Sequence, residues 1–301
     1  MLTMNSFLEI LSQGPVLLDG ATGSNLRKAG MPRGCSTETW VLDHPQVILD
    51  LQSRYAKAGS RILYAPTFQA QEIALPGQNI EKINRDLVAL TRQAAPDALV
   101  AGDLATLSAF LDAWDADHFD VLVEQYRRQV AALLDAGVDL LVGETLLYPQ
   151  EGEAILTAAA LEGAEVIMLS YTMQSDGSLF SGRDAGPVLR ELEEAGAAAV
   201  GFNCVGADSL TPALVSKLRR YVKGPILAKP NAGVPVIDHH GIPQYPMGPE
   251  EFATIMADCA ACGANLLGGC CGTDPEYIEA ARQRVCQFPL DSVRSGVIKP
   301  I

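Results

Sequence analysis

Eight times along this chain a short apolar run is followed by a longer stretch with helical spacing, and no other feature restricts its fold as strongly. The runs are residues 16–21, 61–68, 98–104, 140–145, 166–173, 199–204, 226–232 and 266–271. They are almost continuously apolar, which is how parallel strands read when both faces are covered. Between them, 45–59 places Val47, Ile48, Leu51, Tyr55 and Ala58 on one helical face and ends in glycine. Residues 119–137, 187–196, 212–222 and 249–263 read as further helices, the last three each opening on a proline that suits a first turn. Ala58-Gly59, Ala136-Gly137, Ala195-Gly196 and Cys262-Gly263 are helix stops that feed the next strand. Eight β-then-α units with no intervening linker predict a single-domain (β/α)8 TIM barrel over residues 1–301, with 286–301 as a C-terminal extension. A doubly wound open sheet is the other topology that this order allows.

The formal net charge of −14 argues against nucleic-acid partners and against docking on anionic lipid, both of which need a basic surface. No stretch approaches the roughly 20 apolar residues of a membrane span, and the first residues lack a basic, cleavable leader. The 7 cysteines are an odd number with no disulfide-like spacing, so reduced thiols in a cytoplasmic protein are expected.

In a barrel the working residues come from the C-terminal ends of the strands and the loops that follow. The first run ends in Asp19-Gly20-Ala21-Thr22-Gly23, the second in Pro66-Thr67-Phe68 and the fourth in Gly143-Glu144-Thr145. The sixth ends in Asn203-Cys204, the seventh in Asn231-Ala232-Gly233 and the eighth in Gly269-Cys270-Cys271-Gly272. Carboxylates, amides and thiols therefore gather at one rim. Zinc favours thiolate, and a catalytic site keeps three protein ligands and one open position. Cys204, Cys270 and Cys271 are the expected set, with Gly268, Gly269 and Gly272 letting neighbouring sulfurs face one ion. Free cysteines otherwise pack as small apolar groups. That reading suits Cys259 and Cys262, three apart on one helix, and also Cys35 and Cys286. Of the four histidines, His239-His240 reads as a surface turn.

The Gly20–Gly23 turn offers backbone N–H groups for a carboxylate, while Asp19 or Glu144 would pair an ammonium, together making a pocket for an amino acid. The turn lacks the GxxxxGK[ST] phosphate-loop pattern. Two other readings of the rim exist: a non-catalytic barrel with structural zinc or redox-sensing thiols, and an aldolase using Lys229 as a Schiff-base amine.

DGATGS, PTF, GET, GFNC, PNAG and GGCCGT, in this order, resemble the homocysteine S-methyltransferase family from about Leu17 to Val285. PNAGVPV, YPMGPEEFA and GGCCGTDPEYI look most like the homocysteine-binding domain of cobalamin-dependent methionine synthase. The resemblance implies zinc on Cys204, Cys270 and Cys271, with Asn231 as a displaceable fourth ligand in the substrate-free state. It also implies that Asp19 and Glu144 hold the homocysteine amino group and that Gly20, Ala21, Thr22 and Gly23 take its carboxylate. The methyl donor it implies is a methyl-corrinoid (cobalamin) on a separate protein; S-methylmethionine, S-adenosylmethionine or betaine are the alternatives. Two positions depart from the family pattern: Pro66, where Asn is frequent, and Ala105-Thr106, where Gly-Pro is common.

Overall fold

In the computed structural model, which describes residues 1–112, 115–239 and 241–285, the eight runs form one parallel sheet. Its strands are β1 (Val16–Leu17), β2 (Ile62–Tyr64), β3 (Leu99–Ala105), β4 (Leu140–Leu146), β5 (Ile167–Tyr171), β6 (Ala199–Gly206) and β7 (Ile226–Asn231). A short antiparallel pair, β8 (Val236–Ile237) and β9 (Pro243–Gln244), precedes the last barrel strand, β10 (Leu266–Leu267). The sheet runs β1-β10-β7-β6-β5-β4-β3-β2, and a parallel bridge between Leu18 and Ile62 joins its two ends. The result is a closed (β/α)8 barrel rather than an open doubly wound sheet.

Eleven helices accompany the strands: α1 (Met4–Ser12), α2 (Gly23–Lys28), α3 (Thr37–Asp43), α4 (Pro45–Ala58), α5 (Ile80–Ala94) and α6 (Phe119–Asp135) come first. They are followed by α7 (Pro149–Glu162), α8 (Ala185–Glu194), α9 (Thr211–Arg219), α10 (Pro249–Ala261) and α11 (Pro275–Val285). Proline opens α4, α7 and α10 where its missing N–H costs nothing. Helix α8 begins two residues before the expected Pro187, because the Asp184 carboxylate accepts from Gly186 N at 2.8 Å and caps the turn earlier. Helix α9 likewise starts at Thr211 and stops at Arg219, short of the expected Val222.

Several strands are shorter than the apolar runs that announced them. β1 stops at Leu17 and β10 at Leu267, although the backbone beyond them goes on bonding the neighbouring chain segments. Gly269 N donates to Asp19 O at 3.0 Å, Cys270 N to Pro230 O at 2.8 Å and Ala232 N to Cys271 O at 2.9 Å.

The barrel interior is filled by Leu18, Ile62, Ala101, Val142, Met168, Leu227 and Leu266. Phe7 of α1 joins this cluster fully buried, closing the end of the barrel opposite the rim. A larger apolar layer lies between strands and helices. No helix among the described residues is long and apolar enough to cross a membrane.

Candidate functional site

Successive inward positions on a strand are two residues apart, and this period carries polar groups to the rim. Ile62 is followed inward by Tyr64, Ala101 by Asp103, Val142 by Glu144 and Leu227 by Lys229. These four side chains, the Asp19–Ser24 turn and Cys204, Cys270 and Cys271 line one cavity of about 390 Å³. That volume lies within the ordinary range for a small-molecule site.

The three sulfurs converge. All lie within 4.8 Å of one another, and Cys204 and Cys271 are 4.0 Å apart. Tetrahedral zinc with Zn–S of about 2.3 Å spaces its thiolates by about 3.8 Å, so the set fits a metal ion with little movement.

Backbone conformation brings the sulfurs there. Among the described residues, Thr145 and Cys204 are the non-glycine residues with positive φ, each at 58°. Each sits where the ladder slips register, between Gly143 and Leu146 on β4 and between Asn203 and Gly206 on β6. The Asn203 amide links the two irregularities: its Oδ1 accepts from Thr145 N at 2.9 Å and its Nδ2 donates to Thr145 Oγ1 at 2.6 Å. Nδ2 also reaches Cys270 Sγ at 3.8 Å. On the other side Cys270 O accepts from Thr273 Oγ1 at 2.8 Å. Gly272 takes φ +85°, and a Cβ there would come within 2.4 Å of the Tyr245 ring, so only glycine serves.

Hydrogen bonds among the sulfurs divide their acidity. Donation to Cys270 and Cys271 raises Cys204, whereas acceptance from Cys204 and Cys270 draws Cys271 down to about 3. One thiolate shared among three sulfurs is already a soft, anionic ligand set. Cys259 is fully buried and Cys262 packs against the same core, matching their structural reading, while Cys35 is half-buried beside Pro32 O. Cys286 and His240 lie outside the described residues; His239 is exposed in a turn.

Beside the sulfurs is a buried charge cluster. Lys229 Nζ sits 2.9 Å from Asp19 Oδ1, 3.1 Å from Glu144 Oε1 and 3.7 Å from the centre of the Tyr64 ring. Burial alone would lower the Lys229 pKa, but Asp19 and Glu144 outweigh it and hold the amine protonated. A permanently protonated amine is a poor Schiff-base nucleophile, which counts against the aldolase reading. Both Asp19 oxygens are engaged, since its Oδ2 also accepts from Tyr64 N at 2.8 Å. Burial raises Glu144 to about 7, with Lys229 opposing the rise. Asp103 is raised well above the ordinary carboxylate range by burial and by Glu144.

The glycine turn is anchored from α4, α2 and the last loop. Ala21 O accepts from Tyr55 Oη at 2.9 Å and from Asn25 Nδ2 at 2.7 Å, and Ala21 N donates to Thr273 Oγ1 at 3.1 Å. Ala21 is thus fully used, leaving Gly20, Thr22 and Gly23 to offer N–H groups to a ligand. Asn231 ends β7 with its Oδ1 buried and without a hydrogen bond among the described residues, outside the group that lines the cavity. Pro66 lines the cavity, whereas Thr106 turns outward and donates to the buried Glu151 at 2.6 Å. Glu151 also accepts from Leu107 N and Leu147 N, tying the loops after β3 and β4 together.

Tyr64, Asp103, Asn203 and the paired state of Lys229 are the parts of the site that motif reading missed. The signal for three of them was the two-residue inward period continued past the last apolar position.

The chain is 27% identical to methionine synthase from Mycobacterium leprae (strain TN), over 96% of this chain and 26% of that protein. It is 28% identical to methionine synthase from Mycobacterium tuberculosis (strain ATCC 25618 / H37Rv), over 93% of this chain and 25% of that protein. The chain thus spans about a quarter of the length of these relatives. The metallated crystal structure of the homocysteine methyltransferase MmuM from Escherichia coli superposes with a TM-score of 0.77 at 26% identity, covering 93% of this chain and 99% of that one. Residues 16–285 match the homocysteine S-methyltransferase profile, and the chain belongs to that family.

Proposed function

We propose that this chain transfers a methyl group to the thiol of homocysteine, giving methionine, with zinc on Cys204, Cys270 and Cys271. The observation that carries the reading is three sulfurs within 4.8 Å of one another on the wall of an acidic cavity sized for an amino acid. Zinc bound there supplies a Lewis acid that keeps an incoming thiol deprotonated at neutral pH. For a thiol of pKa about 8.5 this is worth roughly 2 kcal/mol, from about 1.5 units at 1.36 kcal/mol each.

The chain's own residues orient the acceptor. The Gly20–Gly23 turn takes the carboxylate, and the acidic cluster containing Asp19 and Glu144 takes the ammonium end. Asn231, whose side-chain oxygen makes no other bond, is the candidate for a displaceable fourth ligand. The acceptor sulfur forms the new S–CH3 bond as the donor's bond to that carbon breaks, and the electron pair leaves with the donor. No side-chain base is needed, because the acceptor thiol would release its proton to solvent on binding, before the methyl group moves.

The donor is a methyl-corrinoid on a separate protein. One observation supports a docked donor: apolar side chains stand exposed around the rim. Phe110, Phe180, Leu210, Val236 and Ile237 all lie in loops that follow barrel strands. The reduced thiols fit a cytoplasmic setting.

The test is a zinc measurement combined with a donor panel of methyl-corrinoid protein, free methylcobalamin, S-methylmethionine, S-adenosylmethionine and betaine, each with homocysteine. Equimolar zinc and homocysteine-dependent turnover with the corrinoid protein are expected, and both should vanish in Cys204→Ser and Cys271→Ala. Retention of zinc and turnover in either variant would refute the assignment.

A further inference from the structure

Two carboxylates in the cavity, buried Asp103 and half-buried Glu144, each have an oxygen without a hydrogen bond among the described residues, that of Glu144 being ion-paired to Lys229. Asp103 Oδ1 has no hydrogen-bond partner, and Asp103 is only 5% exposed. Glu144 Oε1 lies near Lys229 but outside hydrogen-bond geometry. The two side chains project inward from neighbouring strands, with Asp103 opposite Val142 and Ala105 opposite Glu144 in the register. Asp103 is held rigidly: the Thr67 hydroxyl accepts from its N–H and donates to its carbonyl, both at 3.0 Å. Asp19, by contrast, has both oxygens engaged.

From this geometry we infer that Asp103 is a further specificity-determining residue, which joins Glu144 in seating the acceptor's ammonium group. The inference rests on the homocysteine reading and deepens it. The cluster holds three carboxylates, Asp19, Asp103 and Glu144, against the single ammonium of Lys229. A buried carboxylate left unpaired is costly, and a primary ammonium brings three donors that satisfy two of them at once. Burial pushes both seat residues toward the protonated form, and a bound cation opposes that. A thiol lacking the amine would leave the seat unpaired, so the site selects amino-acid thiols over simple ones.

Calorimetric titration of the zinc-loaded protein with homocysteine and with 4-mercaptobutyrate, the same chain without the amine, tests this. The wild type should bind homocysteine more tightly. Asp103→Asn should raise the homocysteine Kd by about 10-fold or more, the size of a lost charge-assisted bond, while the 4-mercaptobutyrate Kd and the zinc content stay unchanged. Asp103→Ser passes through the same titrations if the amide variant does not fold. An unchanged homocysteine Kd, or equal weakening of both thiols, overturns the seat. A wild type that binds homocysteine no better than 4-mercaptobutyrate also overturns it. Binding of neither thiol by the wild type fells the homocysteine reading itself.

Discussion

Lys229 shows how one buried charge governs its neighbours. It neutralises Asp19 and Glu144 under the Tyr64 ring, so Lys229→Met strands two carboxylates and should cost about 3–5 kcal/mol in denaturant unfolding. Borohydride with carbonyl substrates should leave the wild type unlabelled. Glu144 makes a second residue-level prediction. It keeps its proton to about pH 7 in the folded chain but loses it near its ordinary 4.5 when unfolded. Its contribution therefore favours the fold below 4.5 and is lost as pH rises to 7. Glu144→Gln should gain stability relative to wild type across that window, by at most about 3 kcal/mol, while binding homocysteine worse. Unfolding curves at pH 5 and pH 8 would show it; a constant difference would refute it. The cysteines and Asp19 were legible because motif and strand end coincide. Asp103 and Tyr64 were not, because a polar residue continuing an inward face resembles an ordinary strand terminus.

At the level of elements, the ends of β4 and β6 do most to shape the site. Neither the left-handed Thr145 and Cys204 nor the slipped register could be read from GET or GFNC, since such residues favour extended backbone when nothing constrains them. The constraint is Asn203, whose amide belongs to both strands. Asn203→Ala should lower zinc affinity about 10–100-fold, as expected for a group that orients a metal ligand. Competition with a chromophoric chelator measures this, and unaltered affinity would mean that the sulfurs hold their positions without the clamp. Helix ends were legible through proline and glycine, but the Asp184 cap that starts α8 two residues early was not. The shortness of β1 and β10 was not, because Gly268 and Gly269 extend an apolar run and still bond Ala228 and Asp19 beside them.

For the whole molecule, the eightfold alternation gave eight parallel β-then-α units but not closure, which an open doubly wound sheet of the same order lacks; the Leu18–Ile62 bridge supplies it. The β8-β9 pair was hidden in a polar, proline-containing stretch. Metal should stabilise the entire domain by mass action: at free zinc about 100 times its Kd the gain is about 2.7 kcal/mol, so chelation should lower Tm, and Cys271→Ala should make Tm indifferent to chelator. Phe7 adds a kinetic consequence. With the far end of the barrel stoppered, acceptor and methylated product share a single doorway, the one a donor protein would cover. Turnover must then follow a compulsory sequence, acceptor in before the donor arrives and product out after it departs, and methionine should compete with homocysteine but not with the donor.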